Sequence, residues 1–194
     1  LGGSLALRIP GDDVRVTNTS LLFTPEGGVA ARYDKIHLFD VELSEDRSYQ
    51  ESKTVAAGRK VVSLETSLGT LGFSICYDLR FPDLYRALGW RGVEIVFAPS
   101  AFTAHTGRAH WDVLTRARAI ENQVFMVAPA QTGSPYPGRE TYGHARIIDP
   151  WGRVLAEKEE GPGIALAELD FAELARIRRE LPVLKHRNLE AVRL

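Results

Sequence analysis

The sequence predicts an α/β protein with sheets covered by helices, and three observations predict it. Two successive units run apolar strand, amphipathic helix, apolar strand; β-rich hairpins stand at both ends; and no stretch is rich enough in Pro, Gly or Ser to divide the chain. At 194 residues, 44% hydrophobic and 25% charged, the chain carries enough apolar side chains for one core, and a single domain over 1–194 is expected.

The opening run Leu1-Gly2-Gly3-Ser4-Leu5-Ala6-Leu7 reads as a strand already under way and has no initiating Met, so a segment is expected to have been lost in front of it. Ser4 to Ile9 and Val14 to Phe23 are β-rich, and Pro10-Gly11-Asp12-Asp13 and Pro25-Glu26-Gly27-Gly28 punctuate them as hairpin turns. Residues 31–60 lose periodicity and collect polar side chains, which predicts a long loop over a site.

Order returns with Leu71 to Ile75 as a buried strand, Pro82 to Arg91 as a helix with Leu84, Ala87 and Leu88 inward, and Val93 to Ala98 as the next strand. Trp111 to Asn122 places Val113, Leu114, Ala117 and Ile120 at helical spacing, and Val124 to Ala128 is a continuous apolar strand. Ala145 to Asp149 and Arg153 to Glu157 flank the turn Pro150-Trp151-Gly152. A last strand, Ile164 to Leu169, is expected to lead into an amphipathic helix from about Phe171 to Glu180.

Composition removes several classes of function. The 24 basic and 25 acidic side chains nearly cancel, so no summed field favours nucleic acid or an anionic membrane. No apolar stretch approaches the roughly 20 residues that span a bilayer, and no signal segment opens the chain, so a soluble cytoplasmic protein is expected. One Cys makes no internal disulfide and no zinc motif. The histidines His37, His105, His110 and His144 show no metal-binding helical spacing.

A lone Cys after an apolar strand is ordinarily an inert core thiol. Cys76 is set apart by its downstream neighbours: Tyr77-Asp78-Leu79-Arg80-Phe81-Pro82 breaks the strand into a helix start, a geometry that exposes a nucleophile and favours its thiolate. Thiolate attack on an amide creates an oxyanion, which a lysine ammonium and the N–H after the nucleophile would stabilise; Lys35 and the Tyr77 backbone are the candidates. Lys35 taken alone reads as a solvated surface residue.

Arg32 to Asp40, Gln50-Glu51-Ser52, Cys76 to Pro82, Pro99-Ser100-Ala101-Phe102, Ala109-His110-Trp111, Arg116 to Asn122, Tyr142-Gly143-His144 and Asp149-Pro150-Trp151-Gly152 together give the context Lys35 lacks. In order and spacing they resemble the carbon-nitrogen hydrolase (nitrilase) superfamily, in the branch of the deaminated-glutathione and ω-amidases, over essentially the whole chain. The resemblance implies an α-β-β-α four-layer sandwich, here without its first strand and helix, and a homo-oligomer, dimer or higher. It implies a Glu-Lys-Cys triad in which Cys76 matches the nucleophile and Lys35 the lysine, with Glu51 matching a second, supporting glutamate. The first glutamate, the general base, lies in the family upstream of the lysine motif and finds no counterpart; Glu26 sits in a turn of the wrong character.

The implied reaction is hydrolysis of a primary amide on a small carboxylate-bearing metabolite, through a thioester, releasing ammonia, with no metal or organic cofactor. Deaminated glutathione is the first expected substrate and α-ketoglutaramate the second. The alternatives are a non-catalytic fragment or pseudoenzyme lacking the base, and a carbamoylase, nitrilase or acyltransferase of the same superfamily.

Ala101 and Phe102 follow the strand beside the Cys strand and are expected to wall the pocket, with Tyr142 and His144 as further pocket candidates. Asp78 reads as a cap of the helix start and Arg80 as structural support beside it, and the family resemblance implies scaffold support for Glu121. Arg80, Arg108, Arg139 and Arg146 are equally conceivable partners for a substrate carboxylate. The run Arg176-Ile177-Arg178-Arg179 reads as one solvated helix face, with subunit contact as the alternative.

Overall fold

The computed structural model describes residues 3–44 and 47–188, so Leu1 and Gly2 of the expected opening strand lie outside the described residues. Strands β1 (Leu5–Ile9), β2 (Asp12–Phe23) and β3 (Val29–Asp34) form an antiparallel three-stranded sheet in sequence order. The turns obey the local chemistry read from sequence: Asp12 Oδ1 accepts the N–H groups of Val14 and Arg15 at 3.0 and 2.9 Å, and Thr24 Oγ1 accepts that of Gly28 at 3.2 Å.

Residues 31–60 are not one long loop. They hold the end of β3, a hairpin of β4 (Asp40–Ser44) and β5 (Arg47–Gln50), and a 3-10 turn at Glu51–Lys53. The pairing places Val41 opposite Tyr49 and Asp40 opposite Gln50; the alternation in Asp40-Val41-Glu42-Leu43-Ser44 is five residues long and its partner Arg47-Ser48-Tyr49-Gln50 carries one apolar side chain, too little to stand out among polar neighbours.

The larger sheet has six strands in the order β13-β12-β9-β8-β7-β6, built from β6 (Ser63–Thr66), β7 (Gly69–Phe73), β8 (Ile95–Phe97), β9 (Phe125–Ala128), β12 (Ala145–Ile148) and β13 (Val154–Lys158). The central β7, β8 and β9 are parallel, joined through helices α1 (Pro82–Trp90) and α2 (Ala104–Asn122), as the two strand-helix-strand units require. Between β9 and β12 the chain makes a second isolated hairpin, β10 (Thr132–Tyr136) with β11 (Arg139–Tyr142), which the sequence does not announce.

One hydrophobic cluster joins the layers: Leu71, Phe73, Val96 and Phe125 from the six-stranded sheet, Leu84 and Leu88 from α1, Trp111 and Ala119 from α2, Leu174 from α3 (Phe171–Glu180), and Tyr33 from the three-stranded sheet. This is the two-sheet core of the expected sandwich. The far side of the smaller sheet is open, with Leu5 and Val14 exposed by 45% and 76%. Among the described residues no helix is long and apolar enough to cross a membrane.

Three expected elements are corrected. Helix α2 begins at Ala104, where Thr103 caps it by accepting the Thr106 N–H at 3.3 Å; the polar run His105-Thr106-Gly107-Arg108 hides this first half from periodicity. Its buried face carries Trp111, Thr115, Arg118, Ala119 and Asn122, while Val113 and Ile120 are 65% and 47% exposed. Ile164 to Leu169 makes no described ladder, and Ile164 and Leu166 stand exposed. An apolar run supplies something to bury, whereas a strand also needs a neighbour. In the Arg-rich stretch of α3, Arg176 is solvated beside Glu173 and Glu180, but Arg178 donates to the Val93 and Gln123 carbonyls at 2.6 and 2.9 Å and staples α3 to the fold.

Candidate active site

Cys76 lies beyond the carboxyl end of β7, and the ladder to the next strand continues past the end of both: Ser74 N donates to Phe97 O and Cys76 N to Pro99 O, each at 2.9 Å. At Cys76 the backbone turns to φ = 50°, the left-handed region that costs a non-glycine residue of order 1–3 kcal/mol. A 3-10 turn, Cys76–Arg80, then leads to α1, which starts at Pro82. The strain aims the side chain out of the strand direction and onto a pocket at the carboxyl ends of the parallel strands, the place where open α/β sheets bind ligands.

That pocket has a volume of about 610 Å³ and is lined by Cys76, Lys35, Glu51, Tyr77, Ala101 and Phe102, together with Phe39, Tyr49, Arg80, Gln131 and Arg139 among others. Lys35 is buried, 2% exposed, and its ammonium is paired to Glu51 Oε2, which also accepts the Phe39 N–H at 2.6 Å. The lysine that reads as a surface residue in isolation is therefore one half of a buried ion pair. Its position follows from the end of β3: Lys35 N donates to Asn18 O at 2.8 Å, and Gly58 N donates to Lys35 O at 2.7 Å. A Cβ at Gly58 would stand 2.0 Å from the Asp34 carbonyl oxygen, so only glycine lets the returning chain pass.

Asp78 ties the lysine segment to the cysteine turn. It is fully buried; Oδ2 accepts the Tyr33 hydroxyl at 2.6 Å and the Ile75 N–H at 2.8 Å, while Oδ1 accepts the His37 N–H at 2.9 Å and faces His37 Nδ1 at 2.7 Å. The helix-start cap read from sequence thus reaches across to residues on either side of Lys35. His37 stacks on Phe81 with ring centroids 3.7 Å apart, and burial with the Asp78 carboxylate pushes the Tyr33 hydroxyl's pKa up, so it stays a donor.

Burial raises the Cys76 pKa above the ordinary thiol value, opposed by the Lys35 charge, a hydrogen bond from the Ala101 backbone and the Arg139 charge, and reinforced by Glu51. The fold therefore favours the neutral thiol. This runs against the expectation that a helix start favours the thiolate: desolvation outweighs what the Ala101 hydrogen bond and two cations, Lys35 itself shared with Glu51, supply.

The structure separates the four arginines. Arg146 is buried and bound to Asp112 at 2.6 Å and to Glu157, remote from the pocket. Arg108 is exposed beside Glu140 at 3.9 Å. Arg80 and Arg139 line the pocket, Arg80 donating to His110 Nδ1 at 3.0 Å and Arg139 to the Ala101 carbonyl at 3.1 Å. Neither makes an ion pair among the described residues.

Tyr142 and His144 do not join the pocket lining. The Tyr142 ring stacks on His144 at 4.2 Å and presses against α2, where a Cβ on Gly107 would lie 2.3 Å from it. His144 Nδ1 faces Glu157 at 2.8 Å and its carbonyl accepts the Trp111 indole N–H at 2.8 Å, so the motif holds the wall behind Phe102. Glu121 takes Arg118 at 2.7 Å on α2, in keeping with scaffold support. Tyr49, Phe39 and Gln131 are pocket residues that sequence reasoning missed, because an isolated aromatic or amide in or beside a polar hairpin carries no signal of direction.

A model of the carbon-nitrogen hydrolases matches residues 3–179. The deaminated glutathione amidase of Synechocystis is 49% identical over 96% of this chain and 70% of its own length, and the human protein of that name is 45% identical over 89% of this chain and 53% of its own. Among solved structures, the Caenorhabditis elegans NitFhit protein superposes with a TM-score of 0.93 at 42% identity, over 98% of this chain and 47% of that one. The chain thus spans between about half and 70% of the length of these relatives. It belongs to the carbon-nitrogen hydrolase family.

Proposed function

Starting from that membership, we propose that this protein hydrolyses an amide of a small carboxylate-bearing metabolite through a thioester on Cys76. The observation that carries the proposal is the opposition, across one pocket, of a cysteine on a left-handed turn and a buried Lys35–Glu51 pair. The names of the relatives support deaminated glutathione as substrate, with α-ketoglutaramate next, and two guanidinium groups in the pocket suit a carboxylate.

The neutral thiol must lose its proton as sulfur attacks. Glu51 carries two donors on Oε2 and serves to hold Lys35, so the base is the further glutamate that the family resemblance implies. The carbonyl oxygen gains charge as the C–S bond forms, and Lys35 with the Tyr77 N–H, the first after the nucleophile, receives it. The amine leaves with a proton, and water cleaves the thioester to the acid and restores the thiol. A cytoplasmic homo-oligomer completes the proposal.

The test is intact-mass analysis of the full natural protein quenched during turnover of deaminated glutathione. An acyl adduct mapped to Cys76 is expected; hydrolysis proceeding with an unmodified Cys76 at every time point would overturn the mechanism.

A further inference from the structure

A second cavity, about 410 Å³, adjoins the first and shares Tyr49, Thr103 and Arg139 with it. Beyond this shared wall it is lined by His105 and Arg108 on the first turns of α2 and by Ser134, Gly138 and Glu140 of the β10–β11 hairpin. Among the described residues the inner pocket is lined by one carboxylate, Glu51, which is bound to Lys35, and the outer one by Glu140, 3.9 Å from Arg108 and exposed with it. Arg139 stands on the wall. It donates to the Ala101 carbonyl at 3.1 Å and to the Tyr136 hydroxyl at 3.3 Å, and its guanidinium lies 5.2 Å from the Tyr49 ring centroid and 5.8 Å from that of Tyr136.

A guanidinium has five N–H donors, and these two bonds leave most of its fork open. Cation–π contacts to Tyr49 and Tyr136 help to hold it in place while leaving the charge unpaired among the described residues. An oriented, half-buried, unpaired guanidinium between two connected cavities suits a carboxylate in a way that a solvated surface arginine does not.

We propose that the outer cavity is a subsite for a carboxylate at the far end of an elongated amide substrate, with Arg139 as its anchor and Arg108 as a secondary, solvent-screened attraction. The substrate then lies along the two cavities: its scissile amide at Cys76, its chain past the Tyr49–Arg139 wall, its distal charge outside. Glu140 opposes that charge and sets how strongly the subsite holds it. The inference rests on Cys76 as the nucleophile for its direction, though the subsite can be read by binding alone.

The test uses the full natural protein and a matched pair of amides that share the acyl group, one ending in a carboxylate and the other in the corresponding neutral carboxamide. Wild type is expected to favour the carboxylate in kcat/KM by about tenfold or more, as a charge-assisted hydrogen bond warrants. Arg139→Gln should collapse that ratio toward one through KM, and Glu140→Gln should widen it, a gain that misfolding cannot produce. Equal kcat/KM for the pair in wild type, or losses in Arg139→Gln that fall equally on both amides, would overturn the subsite. Calorimetric binding of the pair to Cys76→Ala separates the two readings: a carboxylate preference there without turnover in wild type sinks the hydrolase reading and keeps the subsite, whereas turnover without a preference does the reverse.

Discussion

The inner and outer walls of the pocket are built in opposite ways. The inner wall hangs from the parallel strands β7, β8 and β9, whose residues Phe73, Val96 and Phe125 are buried, and it carries Cys76, Ala101 and Phe102. The outer wall is two isolated hairpins, β4–β5 and β10–β11, neither joined to the main sheet, and β10 is exposed along its whole length. Tyr49 and Arg139 come from this wall. The difference teaches a division of labour: atoms that must be placed to fractions of an ångström stand on buried ladders, and atoms that select among substrates stand on elements whose sequence can change without disturbing the core.

The comparison is broken most directly at the nucleophile. Cys76→Ala should abolish amide hydrolysis, a loss of at least about 10⁴-fold in kcat, because the covalent route has no substitute. Retained turnover in that variant would mean that the inner wall does not carry the chemistry. Lys35→Ala is expected to lower kcat by about 10²–10³-fold through loss of an oxyanion donor, with the part-buried Glu51 left without its counter-ion; a change confined to KM would instead make Lys35 a substrate anchor.

Asp78→Asn sharpens the comparison from the structural side. Four donors converge on this buried carboxylate, two on each oxygen, and an amide must turn its NH2 toward two of them. A loss of about 2–4 kcal/mol in urea unfolding is expected, with kcat falling alongside because Lys35 and Cys76 lose their common tie. A variant as stable as wild type would show the two segments to be held independently.

The raised Cys76 pKa gives a prediction with a sign. A thiol whose neutral form the fold favours reacts with a neutral alkylating agent in proportion to a small thiolate fraction, so the alkylation rate of this polypeptide should rise about tenfold per pH unit from pH 6 to 8.5 without a plateau. A plateau near pH 7 would place the thiolate, and not the thiol, in the resting site.

The smallest effect sets a scale for the rest of the surface. Arg176→Ala, on the solvated side of α3, should leave the urea midpoint unmoved, whereas Arg178→Ala should lower stability by about 1–2 kcal/mol by orphaning the Val93 and Gln123 carbonyls.

What the sequence determined by itself was the inner half of the molecule. Leu71 to Ile75, Val93 to Ala98 and Val124 to Ala128 are predominantly apolar, broken only by Ser74 and Glu94, because both faces of a parallel strand are covered, and the first of these runs, ended by a Cys and a helix start, is legible residue by residue. The family resemblance added Lys35 and Glu51, which local chemistry would have left in solvent. Only the tertiary structure decided that Lys35 is buried, that Arg80 and Arg139 face the pocket while Arg146 and Arg108 do not, that Tyr142 and His144 support the wall from behind, and that Ile164 to Leu169 stays unpaired. The physical reason is one of range. Periodicity and turn chemistry are set by neighbours a few residues away, whereas burial, charge pairing and the raised pKa of Cys76 are set by residues tens of positions distant that only folding brings together.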